Sequence, residues 1–421
     1  MAAYAKKCGA IDLGIGVPGG ATDFSMIWDV IKYLLGGSEE GGKQMEDVYL
    51  DADTLQGKFG KDSSSYQTKT LKDLLRTFQH PKSTLSQYSM PEHDAIVQRA
   101  ISGYYKYHYE MNVNPSTEII VTLGSTTAIT ILTRVLASPG DNVVVFEPYH
   151  ELYKAQLNLQ SVNILSVLLR EDKINGWVFD MTELEEAIAQ PNVKFLILNS
   201  PHNPTGKIFT LQELEKIADL VCRYKIYLLS DEIYEHFIFN SSMKHHCLFD
   251  WNNLKGRAFT VNSLSKTACI TGWRIGWILS PPEFTASLKK AHTFTALQTP
   301  TPFQLAVVPV LRSDISFFNN LRDSYAKRRN ILCDALVSVG FYLPKNDGSF
   351  YIFVRYDNVS KLRGKNSVEA ANFLVTSIGV ACIAGKGFYQ ESSESQFLRF
   401  AFCGPTDAII EASHRLLRLK D

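Results

Sequence analysis

No run of apolar residues in this chain approaches the ~20 that a helix needs to cross a bilayer. Its first residues, MAAYAKKCGAIDLG, hold no apolar stretch long enough for a secretory signal. Net charge is missing as well, with 43 Lys and Arg against 43 Asp and Glu. A balanced chain has no bulk field to draw it to nucleic acid or an anionic membrane, so neither partner is expected. Cysteine is sparse and unpatterned: Cys8, Cys222, Cys247, Cys269, Cys333, Cys382 and Cys403 are odd in number and include no CxxC pair. That argues for reduced thiols and against a disulfide framework. Internal repeats and low-complexity tracts are lacking too. A soluble, cytoplasmic protein is the expectation.

What is present is length and alternation. The 421 residues are too many for one compact core, so two domains, or a large one with a satellite, are expected. From about 90 to 300, apolar runs alternate with helical patterns: TEIIVTL (117–123), DNVVVFEP (141–148), VKFLILNS (193–200), YLLSDEIY (227–234), AFTVNSLS (258–265) and WRIGWILS (273–280). Continuous apolar runs suit strands buried on both faces, and strand–helix alternation predicts a mostly parallel sheet with helices on both sides. Beyond 300 the pattern shifts to a long helix, NNLRDSYAKRRNILCDALVSVG, then GSFYIFVRY, VACIAG and FLRFAFC. The expected division is an N-terminal arm (1–35), an insertion or lid (36–87), a large domain (88–300) and a smaller α+β domain (301–421). The insertion is rich in Gly, Ser and Lys, with one short helical pattern, LKDLLRTF.

Near the N-terminus, IDLGIGVPGGATDF places Gly14, Gly16 and Gly19 at the spacing of a dinucleotide-binding turn. Such a turn needs a buried strand before it and a helix after it. Pro18 interrupts the glycines and the run ahead is too short for that strand, so a nicotinamide cofactor is excluded.

The chemistry lies at the ends of the expected strands. In NSLSKTACITGWRIGW (262–277), Lys266 follows a strand among Ser263 and Ser265, with Arg274 farther on. Hydroxyls and an arginine suit a phosphate, and a lysine at a desolvated strand end suits imine chemistry. In isolation Lys266 also fits an ordinary surface lysine. Asp231 and Tyr234 in SDEIYEHF, Asn203 and Pro204 in NSPHNPTG, and Ser125 and Thr126 in TLGSTTAIT each end another strand. The last of these opens a helix whose N–H groups form an anion cradle. Each taken singly also reads as a cap or a turn former. Together they fall on one edge of the sheet, where α/β proteins bind ligands.

In this combination, SLSK, GWRIG, HNPTG, DEIY and FLRFAF in order, the chain resembles the fold-type I, pyridoxal phosphate-dependent aminotransferases of class I/II, including the aspartate and kynurenine aminotransferase-like members. The resemblance implies a large domain with a mostly parallel, seven-stranded sheet between helices, and pyridoxal 5′-phosphate as cofactor. Lys266 would hold the cofactor as a Schiff base and shuttle the proton. Asp231 would pair with the ring nitrogen, Tyr234 and Asn203 with the ring oxygen. Ser125, Thr126, Ser263, Ser265 and Arg274 would hold the phosphate. His150, in EPYHELY, stands where an aromatic stacks on the ring, with Tyr149 as the fallback. Arg399 would grip the substrate α-carboxylate beside Gly16 and Asn203. Tyr88 would reach the phosphate of a second subunit, which implies a homodimer. Asn203–Pro204 matches a bond that the family often holds cis. The implied reaction moves an amino group between an L-amino acid and a 2-oxo acid by a ping-pong mechanism.

Departures and alternatives complete the reading. The segment between Gly16 and Tyr88 is longer than the family's pattern, and AHTFTALQTPTP (291–302) lacks the arginine that aspartate-specific members carry. Strict dicarboxylate specificity is therefore not expected, and His292 reads as a helix-surface residue. Tyr49 and Tyr66, in the insertion, are candidates for the substrate pocket. A lyase or cyclase on an amino acid, for example a carbon–sulfur lyase, would use the same Lys, Asp and Arg. A non-catalytic ligand-sensing module would need a DNA-binding helix, and 36–87 offers no basic one. KHHC (244–247) with His236 fits no common zinc spacing, and surface histidines with no metal are the expectation.

Overall fold

The computed structural model describes residues 2–18, 88, 91–390 and 396–420. The 36–87 insertion, with LKDLLRTF, Tyr49 and Tyr66, lies outside the described residues. An N-terminal helix α1 (Ala2–Lys7) and strand β1 (Ile11–Asp12) come first, and helix α2 (Pro91–Tyr109) leads into the main sheet. Its strands are β2 (Ile119–Leu123), β3 (Asn142–Glu147) and β4 (Asn163–Leu168). A small hairpin, β5 (Arg170–Asp172) and β6 (Gly176–Val178), precedes β7 (Val193–Asn199), β8 (Tyr227–Asp231), β9 (Ala258–Ser263) and β10 (Ile275–Leu279).

The seven strands lie in the order β2-β10-β9-β8-β7-β3-β4, all parallel except β10, which is antiparallel to β2 and β9. The apolar runs form its centre for a simple reason. Every residue of β9 and β10, and nearly all of β3 and β8, is buried, so no position tolerates a solvated side chain. Helices α3 (Gly124–Leu136), α4 (Glu151–Leu159), α5 (Met181–Ile188) and α6 (Leu211–Arg223) fill the crossovers. Thr210 and Glu213 form a capping box that starts α6. β4 escapes the sequence pattern because it is an edge strand with only Ile164 and Val167 buried.

A single helical turn α7 (Leu264–Thr267) joins β9 to β10, and α8 (Pro282–Ala296) and the long α9 (Ile315–Ser338) follow. A second, antiparallel sheet has the order β11-β14-β13, from β11 (Tyr351–Arg355), β13 (Ile383–Ala384) and β14 (Phe397–Ala401). β12 (Val380–Ala381) pairs parallel with β1. Leu13, just past β1, donates to Ala381 O at 2.9 Å and accepts from Ala401 N at 2.6 Å. The N-terminal segment is thus stitched to the C-terminal sheet, and this fixes the path of the glycines that come next. Pairing and burial of Leu13 hold the described residues Gly14 and Gly16 in place; Gly19 lies outside the described residues.

Behind the C-terminal end of β8 lies a buried polar network. Glu235 accepts from Tyr104 at 2.6 Å, from Asn262 at 2.6 Å and from Tyr109. Glu232 pairs with His245 at 2.9 Å, and His236, touching Tyr104, stacks on Phe318 at 3.9 Å between centroids. His236 and His245 are therefore interior residues and not the surface histidines expected, because two buried carboxylates and a phenol satisfy the chain around them. Three donors converge on Glu235, and its loss leaves the Tyr109 hydroxyl without its carboxylate and weakens the bonding of Tyr104 and Asn262, whose other contacts are His236 and Tyr105. Glu235→Ala is expected to lower the unfolding free energy by about 3 kcal/mol or more in a urea titration. A loss under about 1 kcal/mol would mean that water replaces the carboxylate.

Candidate active site

Strand ends bring the chemistry together. Lys266 sits on α7, directly after β9, and its amine donates to Gly16 O at 2.8 Å. Burial holds its pKa down at about 8; Arg399 and Arg274 push the same way, against Cys403 and Asp231. An amine in this state gives up its charge around pH 8, well below an ordinary lysine, as a nucleophile or base requires.

Asp231 ends β8. Tyr153, on α4, donates to its Oδ2, while Oδ1 is buried with no partner. Burial raises its pKa to about 6, and the Tyr153 hydrogen bond opposes that rise. One carboxylate oxygen is thus fixed by the protein and the other is aimed at something else. Tyr153 was not anticipated from sequence, although it follows His150 by three residues and so shares its face of the helix.

Across the cavity, α3 opens at Gly124 with no side chain capping it. The first-turn N–H groups, with Ser125 and Thr126, are therefore free to meet an anion. Gly124 has φ +76°, and a Cβ there would overlap the Arg274 guanidinium. A Cβ on Gly276 would stand 2.8 Å from Gly124 C and Ser125 N. Both glycines are close-approach positions that let Arg274 lie along the helix opening. Arg274 itself takes φ +58° and donates from its guanidinium to Thr271 O at 2.9 Å. Ser263 Oγ lies 2.7 Å from both Ile275 O and Ser265 Oγ. Ser125, Thr126, Ser263, Ser265, Lys266, Asp231, Tyr234, Arg274 and His150 line one cavity with Tyr153 and Gln156.

His150 caps α4, its Nδ1 accepting from Leu152 N at 3.1 Å, and burial lowers its pKa to about 4. Tyr149 instead lies in the core among the β3 and α3 side chains. His150 faces the cavity; Tyr149 does not line it.

The other end of the site is built around Arg399 on β14. Its NH1 donates to Asn203 Oδ1 at 2.9 Å and its NH2 to Gly14 O at 3.1 Å, whereas Nε is buried without a partner. The guanidinium lies between the rings of Tyr351 (4.2 Å) and Phe388 (4.7 Å). Asn203 Nδ2 is likewise unpaired, and the Asn203–Pro204 peptide is cis, as are Glu147–Pro148 and Ser200–Pro201. Tyr234 donates to the Tyr351 hydroxyl at 3.4 Å. A Cβ on Gly16 would overlap that hydroxyl, so only glycine passes there. Tyr351 and Phe388 carry no motif signal and were not foreseen. Tyr88 is 70% exposed on this single chain. His292 departs from expectation: it is buried and its Nε2 accepts from Leu123 N at 3.2 Å, satisfying the residue just before α3.

Comparison with known proteins agrees with this geometry. The family model for aminotransferase class I and II matches residues 58–416. A probable N-succinyldiaminopimelate aminotransferase of Mycobacterium tuberculosis is 30% identical over 341 residues, covering 79% of this chain and 84% of that one. A methionine aminotransferase of Escherichia coli is 27% identical, covering 82% and 87%. Among solved structures, the Mycobacterium tuberculosis N-succinyldiaminopimelate aminotransferase superposes with a TM-score of 0.83 at 27% identity, over 100% of this chain and 96% of the other. The chain belongs to the class I and II aminotransferases and is a pyridoxal phosphate-dependent enzyme of fold type I. None of its described helices is long and apolar enough to cross a membrane.

The residues present fit that cofactor. The unpaired Asp231 Oδ1 offers an acceptor to the ring N–H, the uncapped α3 with Arg274 offers a phosphate seat, and the depressed Lys266 pKa offers a neutral amine. Without cofactor, Lys266 is charged in both folded and unfolded chains below pH 8, so its burial cost is fully present there. Above about 8 the folded chain sheds the proton first, and the unfolded chain keeps it up to the ordinary lysine value of 10.5. Stability of the cofactor-free protein should therefore gain a contribution between pH 8 and 10 that Lys266→Met removes. Parallel stability profiles for the two proteins would contradict the depressed pKa.

Proposed function

We propose that this aminotransferase works by a ping-pong cycle between an L-amino acid and a 2-oxo acid, with each site residue in the role its geometry supports. The observation that carries this reading is the pair of unsatisfied buried atoms, Asp231 Oδ1 and Arg399 Nε, on either side of a lysine whose charge is suppressed. Bound pyridoxal phosphate supplies the electron sink for negative charge developing at the substrate Cα. Ser125, Thr126, Ser263, Ser265 and Arg274 would hold its phosphate, Asp231 its ring nitrogen, Tyr234 and Asn203 its ring oxygen, and His150 one ring face.

Arg399 holds the substrate carboxylate beside Gly16, with Nε as a free donor and Asn203 at its flank. Anchoring the carboxylate restricts how the Cα–H bond lies relative to Lys266. Lys266 Nζ, in its neutral form, would take the Cα proton and later return it. Asp231, with Oδ2 held by Tyr153 and Oδ1 free, would accept from a protonated ring nitrogen and stabilise its charge. Tyr88 acts at the phosphate of a second subunit, so the working unit is a homodimer. Its compartment is the cytoplasm, in keeping with seven free cysteines.

A single turnover with an amino acid and no acceptor tests the reaction class. It should yield one 2-oxo acid and the pyridoxamine form of the cofactor; ammonia without pyridoxamine phosphate would overturn the reading. Asp231→Ala should lower kcat/KM by about 10² or more. Tyr153→Phe, which removes one hydrogen bond to a charged group, should cost roughly tenfold, mostly in kcat. Equal activity of Tyr153→Phe and the parent enzyme would remove Tyr153 from the mechanism.

A further inference from the structure

We infer that Glu151 sets the charge selectivity of the substrate mouth, disfavouring substrates that carry a second carboxylate. This rests on the assignment of Arg399 as the carboxylate seat. Glu151 is the first residue of α4, directly after the His150 cap, where the helix dipole favours an acidic side chain. That preference explains the residue type and leaves its direction open. The carboxylate turns toward the site: Oε2 lies 3.6 Å from Arg399 NH1, and its charge acts on both His150 and Tyr351. The Arg399 side chain is 5% exposed and that of Glu151 is 45% exposed. The guanidinium is thus inside and its counter-charge stands at the rim.

Among the described residues, Arg399 donates at hydrogen-bond distance only to neutral oxygens, those of Asn203 and Gly14. Neither cancels its charge. Glu151 does so from the rim without occupying Nε, which stays open to a ligand. A substrate carboxylate at Nε therefore shares one guanidinium with a resident anion. A further carboxylate on the same substrate would add a third negative charge around one positive charge. A substrate with a neutral side chain avoids that repulsion. Because Glu151 is partly solvated, the discrimination it exerts is modest, roughly two- to fivefold.

The test uses the enzyme loaded with pyridoxal phosphate and two ligands of equal chain length, succinate and butyrate, titrated by calorimetry. In Glu151→Gln, succinate affinity should rise relative to butyrate by roughly two- to fivefold. High salt should shrink the difference between parent and variant. The kcat/KM ratio for 2-oxoglutarate over a neutral 2-oxo acid should rise in step, through KM and not kcat. An unchanged or reversed succinate-to-butyrate ratio overturns the inference. Arg399→Gln separates the two levels of the argument. If it loses both ligands while Glu151→Gln leaves the ratio unchanged, only the role of Glu151 falls. If it binds both as well as the parent, the carboxylate seat falls, and the inference with it.

Discussion

Everything in the site is arranged around an amine kept out of water. Lys266 sits on one turn between two fully buried strands, and burial is what lowers its pKa to about 8. Arg399 and Arg274 reinforce this, and Asp231 opposes it without neutralising it. Exposure of that lysine to solvent would restore its ordinary charge and, in the proposed mechanism, remove the base.

The surroundings keep that arrangement rigid. Asp231 is ionisable, buried and half-satisfied, which is tolerable because Tyr153 holds one oxygen and a cationic partner suits the other. The network on Glu235 anchors the segment that carries Asp231 and Tyr234 to α2 and to β9, the strand that leads into Lys266. On the opposite side, β1 and Leu13 tie the N-terminal glycines to the C-terminal sheet. Gly14 and Gly16 then supply carbonyls to Arg399 and Lys266 respectively. At Gly16 a side chain is excluded by the Tyr351 hydroxyl, which a Cβ there would overlap.

Much of this was legible in the residues because buried parallel strands announce themselves as unbroken apolar runs, and their ends carry the polar motifs. Lys266, Asp231, Asn203, Arg274 and Arg399 follow from that logic combined with a specific family pattern. The exceptions have physical causes. β4 is an edge strand with a mixed pattern, and Tyr153, Tyr351 and Phe388 reach the site through packing that spacing along the chain does not encode. His236, His245 and His292 were misplaced on the surface because a polar side chain reads as exposed until its buried partner is known. Those partners, Tyr104, Glu232 and the Leu123 N–H, are distant in sequence.

The central claim is that Lys266 is the residue to which pyridoxal phosphate attaches. Borohydride reduction of the loaded enzyme converts an imine to a stable secondary amine, and peptide mass spectrometry then locates the label. The phosphopyridoxyl group is expected on Lys266, together with a visible absorption band that Lys266→Ala lacks. A label on another lysine, or an unaltered band in Lys266→Ala, would contradict it.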